Sequence, residues 1–469
     1  MPTTTGKIYL GSTLVSGGVS PAAAADWVRN PFWPALTDPL STEQKIVGLY
    51  AVWPGDGIGK GGNFFAFLAQ GAYTINYGDG TITNYANNTR ADYEFDYNSA
   101  SLSGTNAPVT FTITNNTVNR TAHGRVNGDT IKLYYISGTT NIVEGLTYYV
   151  INASTNSFQI STTLNGSPLA FGGANGNASL LPYKVAVVTI TPQAGQNLTS
   201  VNFFQRNGKT GLSASYSTSW LDVVVSLPNC TGSGLTFSST VTTLYHAFVE
   251  RFRIVNSGSL NSMGNMFGNC RMLEIVSGLP SLNNVTSLAL TFFGCTSLKY
   301  LPEFTGSAGN ITSITQMCAG CTSLVIAPAL PVSIASLTNM SSAYSGCINL
   351  SFVPPFPTNT SAATNVGAMF STCRSLPVIP VMDLTGVTSS TNLVNFTGGC
   401  DNLSRMQAFN QRFSFSLASL KLSAAALNEI FAGLPTVTGQ TITVTGNYGV
   451  NEAGYNPSIA TTKGWTVTS

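Results

Sequence analysis

Residues 369–376, which read Met-Phe-Ser-Thr-Cys-Arg-Ser-Leu, contain an apolar pattern that recurs six times in the second half of the chain. Each copy has a cysteine at its centre, and successive cysteines are 25, 26, 26, 26 and 27 residues apart. A leucine follows each cysteine by three residues, so the repeated pairs are Cys270 and Leu273, Cys295 and Leu298, Cys321 and Leu324, Cys347 and Leu350, Cys373 and Leu376, and Cys400 and Leu403. One apolar pattern at this period predicts a solenoid, because each coil is too small to bury its apolar face without neighbours.

The six cysteines are expected to point inward as a ladder, with coils about 5 Å apart like the strands of a sheet. A buried thiol acts as a small apolar side chain, and we expect the thiols to be reduced. Cys318 and Cys321 also form a C-x-x-C sequence, which can indicate zinc or redox chemistry. However, Cys318 occupies the position that holds Phe or Tyr in four other copies, and a structural zinc needs four ligands. Packing is therefore the better interpretation, and no metal or cofactor site is predicted.

The six copies resemble the rungs of BspA-like leucine-rich repeats, which read approximately M-F-x-x-C-x-x-L-x-x-L-P. Residues 266–273 and 369–376 match that pattern most closely, and the resemblance covers about residues 260–406. A less regular leading coil is expected to include residues 223–227 and 235–237. Members of this class are surface and adhesion proteins, so the resemblance implies recognition rather than catalysis.

The segment after the last copy predicts a helix followed by two short strands. Residues 427–434 have the apolar spacing of one helix face, with Ser423 as the N-cap and Gly433 as the stop. The strands are expected at residues 441–445 and 465–467. Such elements would close the open end of a solenoid. This tail resembles the ending of repeat proteins of bacterial viruses.

The front half of the chain begins its regular structure with a predicted hairpin at residues 73–81, where an Asp-Gly pair separates two alternating runs. Its Tyr-Gly-Asp-Gly sequence resembles the motif of PKD-type immunoglobulin-like sandwiches, and residues 93–97 are similar to a later strand of that family. The expected closing strand is at residues 185–192. Residues 101–182 are therefore interpreted as a domain inserted before that strand, because insertions at surface loops cost little free energy.

The inserted segment contains a second resemblance. Residues 121–131 and 145–161 resemble a strand–turn–strand module of bacteriophage tail and other virion proteins, although one loop is shorter here. His123 and Asp129 belong to that pattern. They are interpreted as turn and hydrogen-bonding residues, because no nucleophile or metal partner accompanies them.

The first 40 residues are predicted to form an extended N-terminal arm. Trp27, Phe32 and Trp33 lie close to prolines, which lack a backbone N–H and favour extended chain. These aromatic residues could anchor the arm in the surface of a partner. They could equally fold back over the chain's own sandwich, and the sequence leaves both alternatives open.

The composition excludes several classes of partner. Charged residues make up 8% of the chain and the net charge is +2, so no basic surface for nucleic acid or an anionic membrane is expected. No run of 18 apolar residues occurs, so no membrane insertion is expected. The first residues do not form a secretory signal, which favours folding in a cytoplasm.

No catalytic residues are predicted. Cleavage of a polysaccharide needs two neighbouring carboxylates, and the four acidic residues of the repeats occupy four different positions relative to their cysteines. The register instead predicts two exposed ion pairs between coils, Glu274 with Lys299 and Arg374 with Asp401, each of small energy. If activity were found, the first carboxylates to test would be Asp79, Asp129 and Glu144.

Together these features predict a mainly β, non-enzymatic virion protein of a bacteriophage, assembled in the host cytoplasm. Its predicted parts are an arm at 1–40, a PKD-like sandwich at 41–100 and 183–198, an inserted β module at 101–182, a solenoid cap and first coil at 199–259, leucine-rich repeats at 260–420 and a C-terminal cap at 421–469.

The preferred function is that of a tail-fibre or baseplate-associated protein whose solenoid contacts the host surface. A capsid decoration protein is the alternative, and a bacterial surface adhesin is a more distant one. The expected partners are other virion proteins, further copies of the chain, and a host-surface protein or glycan. An adhesin should expose aromatic side chains on one flank of the repeats, whereas a decoration protein should bury that flank against its neighbours.

Overall fold

The computed structural model describes most of the chain. The described residues are 8–10, 13–15, 29–30, 33–53, 63–102, 107–181, 183–203, 205, 208, 219–237, 248–330, 334–356 and 360–469. They form 27 β-strands and two short α-helices, so the prediction of a mainly β fold is confirmed. The predicted anchor residues Trp27 and Phe32 lie outside the described residues.

The elements have the following bounds. The strands up to residue 192 are β1 Ile8–Leu10, β2 Thr13–Val15, β3 Lys45–Val52, β4 Phe64–Gln70, β5 Tyr73–Asn76, β6 Ile82–Tyr85, β7 Ala91–Glu94, β8 Pro108–Thr112, β9 Thr117–Asn119, β10 Thr130–Lys132, β11 Tyr134–Thr140, β12 Thr147–Ile151, β13 Ser157–Ser161, β14 Gly172–Ser179 and β15 Lys184–Pro192. The later strands are β16 Ser200–Asn202, β17 Trp220–Ser226, β18 Thr231–Gly232, β19 Leu235–Thr236, β20 Arg251–Asn256, β21 Ser259–Leu260, β22 Ile275–Ser277, β23 Val378–Asp383, β24 Arg405–Phe409, β25 Phe415–Ser416, β26 Gln440–Thr443 and β27 Trp465–Thr468. The α-helices are α1 Ala424–Gly433 and α2 Ser458–Thr461, and the 3-10 helices are Leu282–Asn284, Ser390–Leu393 and Tyr448–Asn451.

Two sheets pack face to face in the front half of the chain. A seven-stranded sheet has the order β22-β20-β17-β3-β15-β5-β6, and a four-stranded sheet has the order β19-β16-β4-β7. Ile46 and Tyr50 of β3 share one apolar core with Phe65 and Phe67 of β4. This core lies between the two sheets, because alternate residues of a strand point to opposite faces.

Strand β3 is also buried on its other face. Leu49 and Ala51 enter a second core, which the seven-stranded sheet β10-β12-β13-β9-β8-β14-β11 completes. The strands of that sheet all come from residues 108–179, after which β15 pairs with both β3 and β5. The indole of Trp220 packs directly on β3 at Gly48. A larger residue would not fit there, because a Cβ at residue 48 would lie 2.5 Å from that ring.

The segment predicted as the solenoid cap and first irregular coil, residues 199–259, supplies strands to both facing sheets. Strand β16 pairs with β4, and β17 pairs antiparallel with β3. Strands β20 and β22 then add in parallel to β17, one after the other. The larger sheet of the front half therefore continues without a break into the first repeat.

Successive repeats stack in parallel register. Parallel bridges join each of Ser262, Ser287, Ser313, Asn339 and Asn365 to the next. All six repeated cysteines and all six repeated leucines are 0% exposed, and they lie in the same apolar core as β3 and β4. Cys318 is also buried, at the position that aromatic residues hold in other repeats. The eight cysteines are free thiols.

The repeated thiols also make hydrogen bonds to the preceding repeat. The Sγ atoms of Cys295, Cys321, Cys347, Cys373 and Cys400 donate to the backbone carbonyls of Phe267, Phe292, Cys318, Tyr344 and Phe370, at 3.1, 3.0, 3.0, 3.1 and 2.9 Å. Cysteine thus supplies both a small apolar volume and a donor that points across the gap between repeats.

The end of the chain packs on the last repeat. The predicted helix is α1, in which the Ser423 hydroxyl accepts a hydrogen bond from the Ala426 N–H at 3.2 Å. Its buried residues include Leu427, Ile430 and Phe431. Strands β25, β26 and β27 form a parallel sheet beside it.

Candidate binding surface

A row of apolar side chains lies on the outer face of the stacked repeats. The residue six positions after each cysteine points inward and is at most 5% exposed. The residue one position earlier points outward, because side chains alternate along a strand. In the first five repeats these outward residues are apolar and half-buried, namely Ile275, Tyr300, Ile326, Phe352 and Val378, and in the sixth repeat the residue is Arg405. We call this row the apolar stripe.

Register places the members of the apolar stripe next to one another. Ile326 and Phe352 form a parallel bridge. At the two ends, Ile275 is paired with Arg251 and Val378 with Arg405. Prolines follow two residues after four members, and of these Pro302 and Pro354 are half-buried and widen the apolar surface, whereas Pro328 and Pro380 are buried.

One end of the apolar stripe is marked by a buried ion cluster. Asp222 is fully buried, and its Oδ1 accepts from Arg251 Nε at 2.9 Å while its Oδ2 accepts from Arg251 Nη2 at 2.6 Å. Arg29 donates to the same carboxylate. A buried carboxylate is tolerated when charge-assisted hydrogen bonds compensate its lost hydration.

The other end of the apolar stripe is marked by a second bidentate pair. Arg405 donates from Nε and Nη2 to the two carboxylate oxygens of Glu429 on α1, at 2.9 and 2.8 Å. These hydrogen bonds lower the pKa of Glu429 and raise that of Arg405. The carboxylate next to each end of the stripe is therefore paired within the protein, and the cluster at Asp222 has one more guanidinium than carboxylate.

The sheet formed by residues 108–179 lies close to the first repeat, near the stripe residue Ile275. Burial raises the pKa of Glu274, and the charges of Lys299 and Lys132 oppose that rise. Lys132 belongs to β10 of that sheet. Glu274 therefore lies where this sheet meets the first repeat, and it is half-buried rather than exposed as predicted. The other predicted pair, Arg374 with Asp401, is exposed and separated by 3.7 Å.

Residues 33–41 are fixed on the body of the protein. Trp33 is 5% exposed and belongs to the second core, so at this residue the chain folds back on itself and offers no ring to a partner. Asp38 pairs with Arg253, and the Ser41 carbonyl accepts from Asn256. The sequence did not predict these contacts, because the paired residues are 215 positions apart.

Of the three carboxylates named as catalytic alternatives, Asp79 and Asp129 accept hydrogen bonds within turns, and Glu144 is exposed. Asp79 accepts from the Thr81 N–H at 3.0 Å and from the Tyr93 hydroxyl at 2.5 Å. Asp129 accepts from the Val126 N–H at 3.1 Å. His123 is buried, and its Nδ1 accepts from the Arg125 N–H, which leaves the ring proton on Nε2.

The described parts of the chain were compared with the requirements of a metal site and of a membrane-spanning helix. Within them, no three His, Cys, Asp or Glu side chains come together as a potential metal site. Nor does any helix there combine the length and apolar character that crossing a bilayer requires.

No protein-family model, curated protein or solved structure matches this chain. A function is therefore argued from the apolar stripe, from the ion pairs at its two ends and from its two aromatic side chains. Neither Tyr300 nor Phe352 stood out in the sequence, because the repeat was aligned on its inward positions. Counting one position back from each buried residue would have found both.

Proposed function

We propose that this chain is a non-enzymatic structural and binding protein of a bacteriophage particle, in which the repeats form a leucine-rich-repeat solenoid that contacts the host surface. The apolar stripe is the observation that carries the proposal. Partly exposed apolar side chains that adjoin one another in a row favour an interaction site more than scattered ones, which need no explanation. The two aromatic residues in the row supply large contact area with little loss of side-chain entropy.

The placement in a virion rests on resemblance. Residues 121–131 and 145–161 resemble a module of phage virion proteins, and the C-terminal segment resembles the tails of phage repeat proteins. In this proposal the two facing sheets are a PKD-like sandwich and the sheet of residues 108–179 is the inserted module. The front half would join the particle, which holds several copies, while the repeats point outward.

A capsid decoration or architectural protein is the second candidate. It would bury the apolar stripe against a neighbouring subunit, and the host surface would have no role. Neighbouring subunits would cover the partly exposed rings of Tyr300 and Phe352 in this candidate and would leave them in contact with solvent in the first, so their surroundings in the particle distinguish the two.

Cryo-electron microscopy of phage particles that carry the encoding gene tests the location, and adsorption tests the role. We expect the chain at a tail fibre or baseplate with the stripe facing solvent. A double variant, Tyr300→Ala with Phe352→Ala, should assemble normally and adsorb to the host more slowly. Loss of the chain from the particle in this variant would favour the decoration role. Particles without the chain would disprove the virion proposal.

A further inference from the structure

We propose that the apolar stripe binds a linear, uncharged polysaccharide that lies along the stack of repeats, with Tyr300 and Phe352 as stacking platforms. This inference rests on the proposed function of the stripe as a binding surface and specifies the class of ligand. It is argued from the size of the stripe, from its charge and from the spacing of its aromatic side chains.

The size of the apolar stripe fits a narrow ligand. With strands about 4.8 Å apart and a rise of about 3.3 Å per residue, five rungs and two outward positions make it about 20 Å long and about 7 Å wide. A specific protein–protein interface buries about 800 Å² on each partner, which is several times this area. A single polymer chain can lie wholly on the stripe, whereas a globular partner would need several hundred Å² of further contact outside it.

The charge distribution favours an uncharged polymer. The stripe itself contains no ionisable group except the Tyr300 hydroxyl. The acidic group at each end is already paired, Asp222 with Arg251 and Glu429 with Arg405. Between these two pairs the exposed charges beside the row are of both signs, Lys299 and Glu303 on either side of Tyr300, so the path lacks the run of like charges that a charged polymer would need.

The chemistry of the row and its edge suits sugar rings. The face of an aromatic ring carries partial negative charge and attracts the C–H groups on the apolar face of a pyranose. Ser351 and Ser404 flank the stripe, and their hydroxyl protons are donated to the carbonyls of Val325 and Pro377 at 3.1 Å. Their oxygen lone pairs can accept hydrogen bonds from sugar hydroxyls.

The aromatic side chains recur at a spacing that suits a polymer. Tyr300 and Phe352 are two rungs apart, which is about 10 Å, and Ile326 lies between them. This distance is close to the length of two hexose units in an extended chain. Pro302 and Pro354 stand in the same rungs as the two aromatic residues and enlarge each platform. The polymer would thus place every second sugar on an aromatic ring.

Isothermal titration calorimetry of the full chain with cellohexaose, maltohexaose and N-acetylchitohexaose tests the proposal. We expect at least one hexasaccharide to bind, and Tyr300→Ala and Phe352→Ala each to weaken its binding at least tenfold. Tyr300→Phe should bind as the unchanged chain does, since the ring and not its hydroxyl stacks. The matched control is Tyr448→Ala, which removes a 52% exposed tyrosine of the C-terminal segment and should change nothing.

The remaining outcomes separate this inference from the proposed function. Absence of binding by all three hexasaccharides, or equal binding by the double alanine variant, would overturn the polysaccharide assignment. If the double variant then still abolished adsorption to host cells, the stripe would remain the binding surface with a protein as its ligand. Sedimentation that shows dimers of the unchanged chain, lost in the double variant, would assign the stripe to a second copy instead.

Discussion

Two positions in every repeat have a left-handed backbone, and one of them contains a strained residue. The position just before the cysteine is glycine in four repeats, with φ between +70° and +77° at Gly294, Gly320, Gly346 and Gly399. Thr372 occupies the same position with φ +59°. A β-branched side chain is unfavourable there, because its Cβ approaches the backbone.

Thr372→Gly should therefore stabilise the protein by about 1 kcal/mol, as measured by urea denaturation. The reverse change at the equivalent position, Gly346→Thr, is the matched control and should lower the free energy of unfolding by a similar amount. The threonine hydroxyl donates a hydrogen bond to the Ser371 carbonyl at 2.7 Å. A loss of stability in Thr372→Gly would mean that this hydrogen bond outweighs the backbone strain.

Glu274 gives the stability a pH dependence whose sign follows from its surroundings. Burial raises its pKa above the ordinary 4.5, so the folded protein binds this proton more tightly than the unfolded chain. The protonated carboxyl of Glu274 therefore stabilises the folded protein fully below pH 4.5, and this stabilisation is lost as the pH rises through the folded-state pKa. Glu274→Gln removes this loss. The variant should melt at a higher temperature than the unchanged chain at pH 7, and the difference should shrink at pH 4; a difference that grows at pH 4 would contradict the assignment.

At the scale of the element, the cysteine ladder is a device that joins neighbouring repeats. Burial raises the pKa of Cys400 to about 12 and that of Cys347 well above its ordinary value, so the thiols are protonated and can donate. The sequence predicted the ladder and its inward direction, because period and composition depend on burial. It could not predict the hydrogen bonds, since these depend on which carbonyl of the preceding repeat lies opposite each thiol.

Cys347→Ala should destabilise the protein by about 2 kcal/mol, because it leaves a small cavity and deprives the Cys318 carbonyl of a donor. Cys230→Ala is the matched control. Cys230 is equally buried, but its sulfur lies 3.7 and 3.8 Å from the nearest acceptors, so the loss should be smaller. Chemical denaturation measures both. Equal losses of stability would show that the thiol hydrogen bond contributes nothing beyond the packing of the sulfur atom.

At the scale of the whole molecule, the sequence predicted the repeats better than their connection to the front half. The repeats are periodic, so their pattern is visible without a partner. Strand β17 has no alternating pattern, because all seven of its residues are buried. Its partner strand β3 is also buried on both faces and comes from a distant part of the chain. The ion pair of Asp222 with Arg29 could not be predicted from the sequence, because the two residues are 193 positions apart.

Asp222 connects three parts of the molecule, and its removal should affect all of them. The carboxylate lies on β17 of the facing sheets, Arg251 lies on the strand that leads into the repeats, and Arg29 precedes the segment that contains Trp33. Asp222→Asn would leave two guanidinium groups beside each other without their counter-charge. We expect a loss of about 3–5 kcal/mol, the usual cost of breaking a buried ion pair.

The matched control for Asp222→Asn is Asp92→Asn, which breaks an exposed pair with Arg90 and should cost less than about 1 kcal/mol. Thermal unfolding followed by circular dichroism and by tryptophan fluorescence measures both changes. Because one apolar core runs from β3 to Trp465, the two signals of Asp222→Asn should shift together. If the unfolding curves instead showed two transitions, of which Asp222→Asn moved only one, the front half and the repeats would unfold independently, and the continuous sheet would not couple them.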